Sequence, residues 1–171
     1  MEDARAVAEI HVRAWCVAYQ GIIPAEFLAS LSVEQREAMW RNSIKNGMPD
    51  LQVARTEGRI VGFAASGPCR DAGAAPRDGE IWAIYVEPSY WSTGVGRTLW
   101  LNARERLRSQ GYERASLWVL AKNARAIRFY RAAGFVEDSS STKEANFGDR
   151  SSKEVRYQTS LSARPNAAEL L

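Results

Sequence analysis

The sequence predicts an α/β fold (α+β in some schemes), in which one mixed β-sheet carries helices on both faces. Strand-like and helix-like segments alternate after residue 50, and this favours a sheet with helical connections. With 171 residues, of which 46% are hydrophobic, the chain is long enough to bury a core of its own. No internal repeat is visible, so we expect one domain over residues 1–161 and a disordered tail over residues 162–171.

The N-terminal part of the chain predicts helices. Apolar residues recur at helical spacing until Gly21 ends the pattern, and two shorter helical segments follow. These helices are predicted at residues 3–20, 24–31 and 32–46. Two further helices, which Gly111 and Gly134 end, are predicted at residues 95–109 and 123–133.

Strands occupy most of the remaining chain. Glu57-Gly58 predicts a tight hairpin turn between the first two strands. The strands are predicted at residues 51–56, 59–66, 80–87, 114–120, 135–137 and 153–161. Residues 67–79 lack periodicity and predict a mobile loop, and residues 139–152 predict a polar loop.

Composition excludes several classes of protein. A net charge of +3 and a pI of about 9.0, without a basic stripe, give no reason to expect a nucleic-acid partner. No apolar run approaches the roughly 18 residues of a membrane span, and the polar N-terminus predicts no signal peptide. Cys16 and Cys69 show no metal-ligand spacing and predict no disulfide. We therefore expect a cytoplasmic protein without a metal ion.

A glycine loop at residues 88–99 connects a predicted strand to a predicted helix. Backbone N–H groups at a helix start lack intrahelical partners, and the helix dipole adds positive potential, so an anion fits there. Gly94 and Gly96 have no Cβ and let a diphosphate approach the main chain, while Arg97 adds charge at the rim. A tight turn without a ligand would use the same glycines. The segment matches neither a P-loop nor the dinucleotide fingerprint.

Two segments together resemble the GNAT-type N-acetyltransferase superfamily. Trp91-Ser-Thr-Gly94-Val-Gly96 is similar to the acetyl-CoA loop of that family, Gln/Arg-x-x-Gly-x-Gly/Ala, with Trp91 as the departure. Asn123-x-x-Ala126-x-x-x-Tyr130-x-x-x-Gly134-Phe135 matches its later motif in order and spacing. The resemblance covers roughly residues 3–161. It implies a splayed central sheet and an acetyl-CoA-dependent enzyme.

The resemblance also implies a set of cofactor contacts. Main-chain amides of the loop would hold the pyrophosphate, and a bulge would splay the preceding strand so that its free backbone groups pair with pantetheine. An amide after the splay would stabilise the oxyanion. The implied cofactor residues are Ile84, Tyr85, Val86, Trp91, Ser92, Thr93, Gly94, Val95, Gly96, Arg97, Asn123, Ala126 and Tyr130.

Transfer of an acetyl group to an amine needs a neutral amine, a stabilised oxyanion and a protonated leaving thiolate. Tyr130 is the candidate acid, because it lies about two helical turns after Asn123 and has this role in the family. The alternative is a phenol packed beside Phe129. Asn123 would bind the pantetheine arm, and a simple N-cap is an alternative compatible with that role.

Glu80 is the candidate general base. It lies eleven residues before Trp91, where the protein-lysine-acetylating branch carries its base. Apolar neighbours such as Trp82 and Ile84 would make it a stronger base. The alternatives are a solvated carboxylate at the strand end, or a base that acts through water or lies elsewhere.

Aromatic residues could line the acceptor pocket and attract an ammonium group by cation–π interaction. The candidates are Trp15, Tyr19, Phe27 and Trp82. At helical spacing, however, residues such as Trp15 and Tyr19 more often belong to the core. His11 lies away from both motifs and is expected to be a surface residue or one satisfied by hydrogen bonds.

The sequence therefore favours an acetyl-CoA-dependent N-acetyltransferase that acts by direct attack in a ternary complex on the primary amine of a small molecule or peptide. The alternative is a non-catalytic acyl-CoA-binding sensor or partner-binding module. The chain begins directly at the first helix, so the edge strand with which the family begins is missing or truncated. Exposed sheet edges invite association, and a homodimer is one expectation.

Overall fold

The computed structural model describes residues 3–162, and the predicted tail from residue 163 onwards lies outside them. The helices are α1 (Asp3–Ala18), α2 (Ala25–Ala29), α3 (Val33–Asn46), α4 (Val95–Ser109) and α5 (Ala124–Ala132). The strands are β1 (Asp50–Thr56), β2 (Arg59–Pro68), β3 (Asp78–Val86), β4 (Arg114–Leu120), β5 (Val136–Phe147) and β6 (Arg150–Ser160). A short 3₁₀ turn, Pro88–Tyr90, precedes the glycine loop.

The strands form one six-stranded sheet in the order β1-β2-β3-β4-β6-β5. All neighbours are antiparallel except β3 and β4, which run parallel at the centre. Within residues 3–162 no strand precedes α1, and β1 forms the edge beside β2. The prediction of a mixed sheet without the family's first edge strand is confirmed for this part of the chain.

Helices cover both faces of the sheet, as predicted. On one face, α1 and α3 bury Val7, Ile10 and Trp40 against Phe63 of β2. On the other face, α4 and α5 pack on β3, β4 and β6, with Leu99 and Leu107 of α4 at the centre. Apolar burial on both faces, at roughly 25 cal/mol per Å², therefore holds the central strands in place.

The prediction of a polar loop at residues 139–152 is wrong, because these residues complete a long β5–β6 hairpin. Gly148, with φ of 66°, occupies the turn between Phe147 and Arg150. The Gly-Asp pair at this turn is a recognised hairpin signal. The flanking strands are mostly polar, however, so they lack a clear alternation of apolar and polar residues. Near its start β5 bulges, and the Asp138 carboxylate accepts hydrogen bonds from the Ser140 amide and hydroxyl at 3.2 and 2.6 Å.

The remaining predicted elements are confirmed within a few residues, with two differences of length. The two strands that flank the loop predicted at residues 67–79 extend into it, so the loop covers residues 69–77. Asp71 ties this loop to the sheet, because its carboxylate accepts from Trp118 Nε1 at 2.9 Å and pairs with Arg156 at 3.0 Å. No helix within residues 3–162 is long and apolar enough to cross a membrane.

Candidate active site

The two parallel strands at the centre of the sheet separate and open a cleft. β3 and β4 pair only from Asp78–Glu80 to Arg114–Ser116, and beyond Glu80 they diverge. The cleft between them has a volume of about 590 Å³. Residues of α1, β3, the glycine loop, β4, α5, β5 and β6 line it. The splay implied by the family resemblance is therefore present.

A β-bulge at Trp82 sets the direction of the strand inside the cleft. Ala65 of β2 lies opposite Ala83 and Ser66 lies opposite Ile81, so Trp82 is the extra residue. Trp82 and Ala83 consequently both face the α1–α3 side. After the bulge Tyr85 faces α1, whereas the side chains of Ile84 and Val86 pack into the core beneath α4.

The main chain of β3 presents backbone groups to the cleft. The Glu87 amide donates to Val61 O at 2.9 Å, on the β2 side. Since backbone groups alternate between the edges of a strand, those of Ile84 and Val86 point to the cleft. Within residues 3–162 no strand pairs with this edge beyond Glu80.

The glycine loop has the conformation of an anion-binding turn. Ser92 and Gly94 have φ of 63° and 93°, so two residues of the loop are left-handed. Gly94 is the N-cap of α4 and offers no side-chain hydrogen bond to the first amides of that helix. A Cβ at Gly96 would lie 3.4 Å from the Phe129 ring, so this glycine lets α4 approach α5.

Trp91 is held in the cleft by two contacts that the sequence did not predict. Its indole Nε1 donates to Val86 O at 2.8 Å. The guanidinium of Arg125 lies over its ring, 4.0 Å from the centroid. Partial burial, and then the charge of Arg128, lower the pKa of Arg125, and an anion beside Arg125 would relieve the second effect.

Arg97, Arg125 and Arg128 form a cationic group at the glycine-loop end of the cleft, which all three residues line. None of them pairs with a carboxylate in the described part of the chain, whereas most other arginines of the protein do. This end of the cleft is therefore suited to a ligand with several negative charges.

Tyr130 lies on α5, Asn123 directly precedes this helix, and both line the same cleft. The Tyr130 hydroxyl makes no hydrogen bond to any of the residues 3–162, and burial raises the pKa of the phenol well above its ordinary value. Asn123 caps α5, since its side-chain oxygen accepts from the Ala126 amide at 3.1 Å. Its amide nitrogen has no partner in the described structure and can donate to a ligand.

Glu80 lies at the fork of the two strands and is only 1% exposed. Its carboxylate is fully engaged by Arg70. The Arg70 amide and Nε donate to one oxygen at 2.9 and 3.1 Å, and Nη2 donates to the other. The alternative of a solvated strand end is wrong for Glu80, and an anchored carboxylate of this kind holds the 69–77 loop in position.

Aromatic side chains line the other end of the cleft. Trp15, Tyr19 and Trp82 all contribute to this wall, and Tyr19 lies edge-on to Trp15 with 5.0 Å between the ring centroids. The hydroxyls of Tyr19 and Tyr85 are 3.5 Å apart. Trp118 and Phe147 extend the same wall from the sheet.

His11 supports this wall from beneath. It is buried, not at the surface, and stacks on Tyr85 with 5.0 Å between the rings. Its Nδ1 accepts from Trp40 Nε1 at 3.1 Å. Burial, and then the charge of Arg36, lower the pKa of His11 to about 3, so the ring is neutral and structural.

A few of the predicted site residues do not reach the cleft. The Thr93 hydroxyl donates to Tyr90 O at 2.7 Å, Val95 packs into the core below α4, and Phe27 packs on Phe147 behind the wall. The cleft residues that the sequence did not reveal include Arg70, Trp118, Arg125, Arg128, Lys143 and Glu154. Period-two alternation beside Val155 could have indicated Glu154, because Val155 faces the core and its neighbour must face the cleft.

The comparisons with known proteins agree with this geometry. The sequence profile of the Acetyltransferase (GNAT) family matches residues 12–135. The chain belongs to this family. The uncharacterized N-acetyltransferase YuaI of Bacillus subtilis (strain 168) is 35% identical over 133 residues, which are 77% of this chain and 74% of YuaI. The mycothiol acetyltransferase of Sanguibacter keddieii is 39% identical over 85 residues, 49% of this chain but only 27% of that enzyme.

Solved structures of the GNAT family share the fold. A ribosomal-protein-alanine N-acetyltransferase from Brucella melitensis superposes with a TM-score of 0.71 at 25% identity, covering 93% of this chain and 94% of that one. Salmonella typhimurium yncA, solved with its cofactor acetyl-CoA, superposes with a TM-score of 0.70 at 23% identity, covering 97% and 94%. This GNAT protein is therefore an N-acetyltransferase, and the acceptor has to be inferred from the site.

Proposed function

We propose that this GNAT protein transfers the acetyl group of acetyl-CoA to the primary amine of a small molecule, by direct attack in a ternary complex. One observation carries the proposal. A single cleft joins a cationic glycine loop, an unpartnered phenol and an aromatic wall. The cationic loop suits the phosphates of acetyl-CoA, the phenol suits its thioester, and the aromatic wall suits an apolar amine.

The glycine-loop end suits the phosphates of CoA. Free amides at the start of α4 would bind the pyrophosphate, and the unpaired Arg97, Arg125 and Arg128 would add charge-assisted hydrogen bonds. Ser92, Gly94 and Gly96 line this end, and the space beside Gly94, where a Cβ would meet nothing within 4 Å, leaves the main chain accessible. The acetyl-CoA bound to yncA is consistent with such a use of this fold.

The splayed edge of β3 suits the pantetheine arm. The cleft-facing backbone groups of Ile84 and Val86 would pair with its amides as an added strand does, and Asn123 Nδ2 would donate to it. Trp91 already donates to Val86 O, so this carbonyl is occupied. The cleft-facing Val86 amide is a donor and would stabilise the oxyanion.

Tyr130 has the properties of the acid. Its raised pKa keeps the phenol protonated at neutral pH, and its hydroxyl is not committed to another described residue. As the bond from nitrogen to the acetyl carbon forms and the bond from that carbon to sulfur breaks, Tyr130 would protonate the thiolate. The proton that the nitrogen loses would pass to solvent, from which Tyr130 regains its own.

The acceptor end favours a small molecule over a peptide. Aromatic side chains from α1, β3, β4 and β5 line it, and Arg70 of the 69–77 loop, which Asp71 ties to the sheet, lines the same cleft. Glu80 stays a candidate base, but its hydrogen bonds to Arg70 support a structural role for this carboxylate.

Calorimetry with acetyl-CoA tests the cofactor part of the proposal, with desulfo-CoA and ATP as controls. We expect micromolar binding of acetyl-CoA, similar binding of desulfo-CoA and weaker binding of ATP. Amines are then screened for release of the CoA thiol. Absence of acetyl-CoA binding would overturn the proposal. Binding without any Tyr130-dependent transfer would favour the non-catalytic module.

A further inference from the structure

Two carboxylates line the cleft within residues 3–162, those of Glu80 and Glu154. Arg70 engages both oxygens of Glu80, so this group has little capacity left for a ligand. The Glu154 carboxylate has one ion pair, with Lys143 Nζ at 3.6 Å, and makes no side-chain hydrogen bond within residues 3–162. Glu154 is therefore the carboxylate that can accept a new partner.

Glu154 faces the aromatic wall. It lies on β6 opposite Leu120 of β4, on the face that α1 and α2 cover, and its side chain is 20% exposed. Burial is the main cause of the raised pKa values of Tyr19 and Tyr85, and the charge of Glu154 adds to both. Glu154 and these two phenols line the same cleft.

Lys143 shows what kind of group fits beside Glu154. Its ammonium lies over the Trp118 ring, 4.2 Å from the centroid, and next to the Glu154 carboxylate. A primary ammonium between an aromatic face and a carboxylate is the arrangement that an amine acceptor would need. The Lys143 side chain is 46% exposed, and such exposed pairs contribute little, so an incoming amine can displace it.

We propose that Glu154 binds the amino group of the acceptor and that Lys143 occupies this position in its absence. The inference rests on the proposed function. It names the acceptor class as an amine on an apolar alkyl or arylalkyl body, which Trp15 and Phe147 would cover. Glu80 is then a positioning residue for Arg70 and the 69–77 loop.

Binding of benzylamine, compared with the neutral benzyl alcohol, tests the proposal. Quenching of the cleft tryptophans Trp15, Trp82 and Trp118 reports binding at neutral pH, with and without CoA. We expect the wild type to prefer the amine ten- to hundred-fold, as a hydrogen bond to a charged group provides. Glu154→Gln should abolish the preference, and Lys143→Met should raise amine affinity several-fold. Glu144→Gln, which removes an exposed charge from the same hairpin, should change neither affinity.

The outcomes separate this inference from the proposed function. An amine preference that survives Glu154→Gln, or one that Glu80→Gln abolishes instead, would overturn the role of Glu154. Equal binding of amine and alcohol by the wild type, or no binding of either, would overturn the acceptor class. Failure of the proposed function appears separately, as absence of acetyl-CoA binding in calorimetry.

Discussion

Replacing Arg125 with methionine tests the cationic end of the cleft most directly. Methionine keeps an unbranched apolar stem that can lie against Trp91, so the change mainly removes the charge. Arg125 has no carboxylate partner within residues 3–162, and the folded protein should lose only the cation–π contact at 4.0 Å, about 0.5–1 kcal/mol. The larger effect should fall on the cofactor.

The expected loss of affinity follows from the kind of bond removed. A hydrogen bond to a charged group contributes about 1.5–3 kcal/mol. At about 1.4 kcal/mol per decade this predicts a 10- to 150-fold higher Kd for CoA. Salt screens the attraction between the Arg125 guanidinium and the phosphates. The CoA affinity of the variant should therefore fall less steeply with ionic strength than that of the wild type.

Calorimetry at two salt concentrations measures both effects. Arg108→Met is the matched control, because Arg108 lies on α4, pairs with Glu105 at 3.3 Å and is outside the cleft. Trp91→Gln is a second perturbation. If the indole orients Arg125, this change should also weaken CoA binding, and the double variant should lose less than the sum of the two.

Two results would refute this reasoning. One is an unchanged Kd for CoA in Arg125→Met, which would mean that the main-chain amides alone hold the phosphates. The other is an equal loss of affinity for acetyl-pantetheine, which has no diphosphate, because the effect would then be structural.

Three further predictions concern other parts of the molecule. Tyr130→Phe should lower kcat about 10²- to 10⁴-fold with CoA affinity unchanged. Because the pKa of Tyr130 is raised above 10.0, deprotonation of this phenol should not reduce wild-type activity, measured by thiol release, below pH 10.0. Gly94→Val places a β-branched residue at φ of 93°, with strain of about 1–3 kcal/mol, and should weaken CoA binding in calorimetry; unchanged affinity would contradict the cradle. The folded-state pKa of His11, about 3, lies below the ordinary 6.5, so its contribution to stability is complete above pH 6.5 and is lost as the pH falls towards 3. Urea unfolding across this range should show a slope of up to about 1.4 kcal/mol per pH unit that His11→Gln, still an acceptor for Trp40, removes.

The glycine-loop end of the cleft was predictable as a structure because its parts are contiguous in sequence. The glycine loop and the Asn123-to-Tyr130 segment each lie within one strand–helix connection, so their spacing alone indicates which groups share a face. Arg125 was missed for a specific reason. The guanidinium of Arg125 is placed at the cleft by its contact with the Trp91 ring, and Trp91 is far from Arg125 in the sequence.

The acceptor end was less accessible because many elements contribute to it. Trp15 comes from α1, Trp118 from β4, Lys143 from β5 and Glu154 from β6, and only the sheet order brings them together. The β5–β6 hairpin has a polar sequence, because many of its residues face solvent and two that line the cleft, Lys143 and Glu154, are charged. Composition therefore favoured a loop where the pairing of β5 with β6 forms two strands.

The distribution of charge along the cleft argues for catalysis over simple binding of an acyl-CoA. Among the cations that line the cleft, Arg97, Arg125 and Arg128 at the glycine-loop end have no carboxylate partner in residues 3–162, whereas Arg70 and Lys143 at the other end each have one. Such asymmetry would orient a molecule with its anionic part at one end and its thioester towards the middle. A sensor would need only the cationic end. A phenol kept protonated by burial and an aromatic wall with a carboxylate serve no purpose in holding CoA, but both are needed to deliver an amine to the thioester and to protonate the departing sulfur.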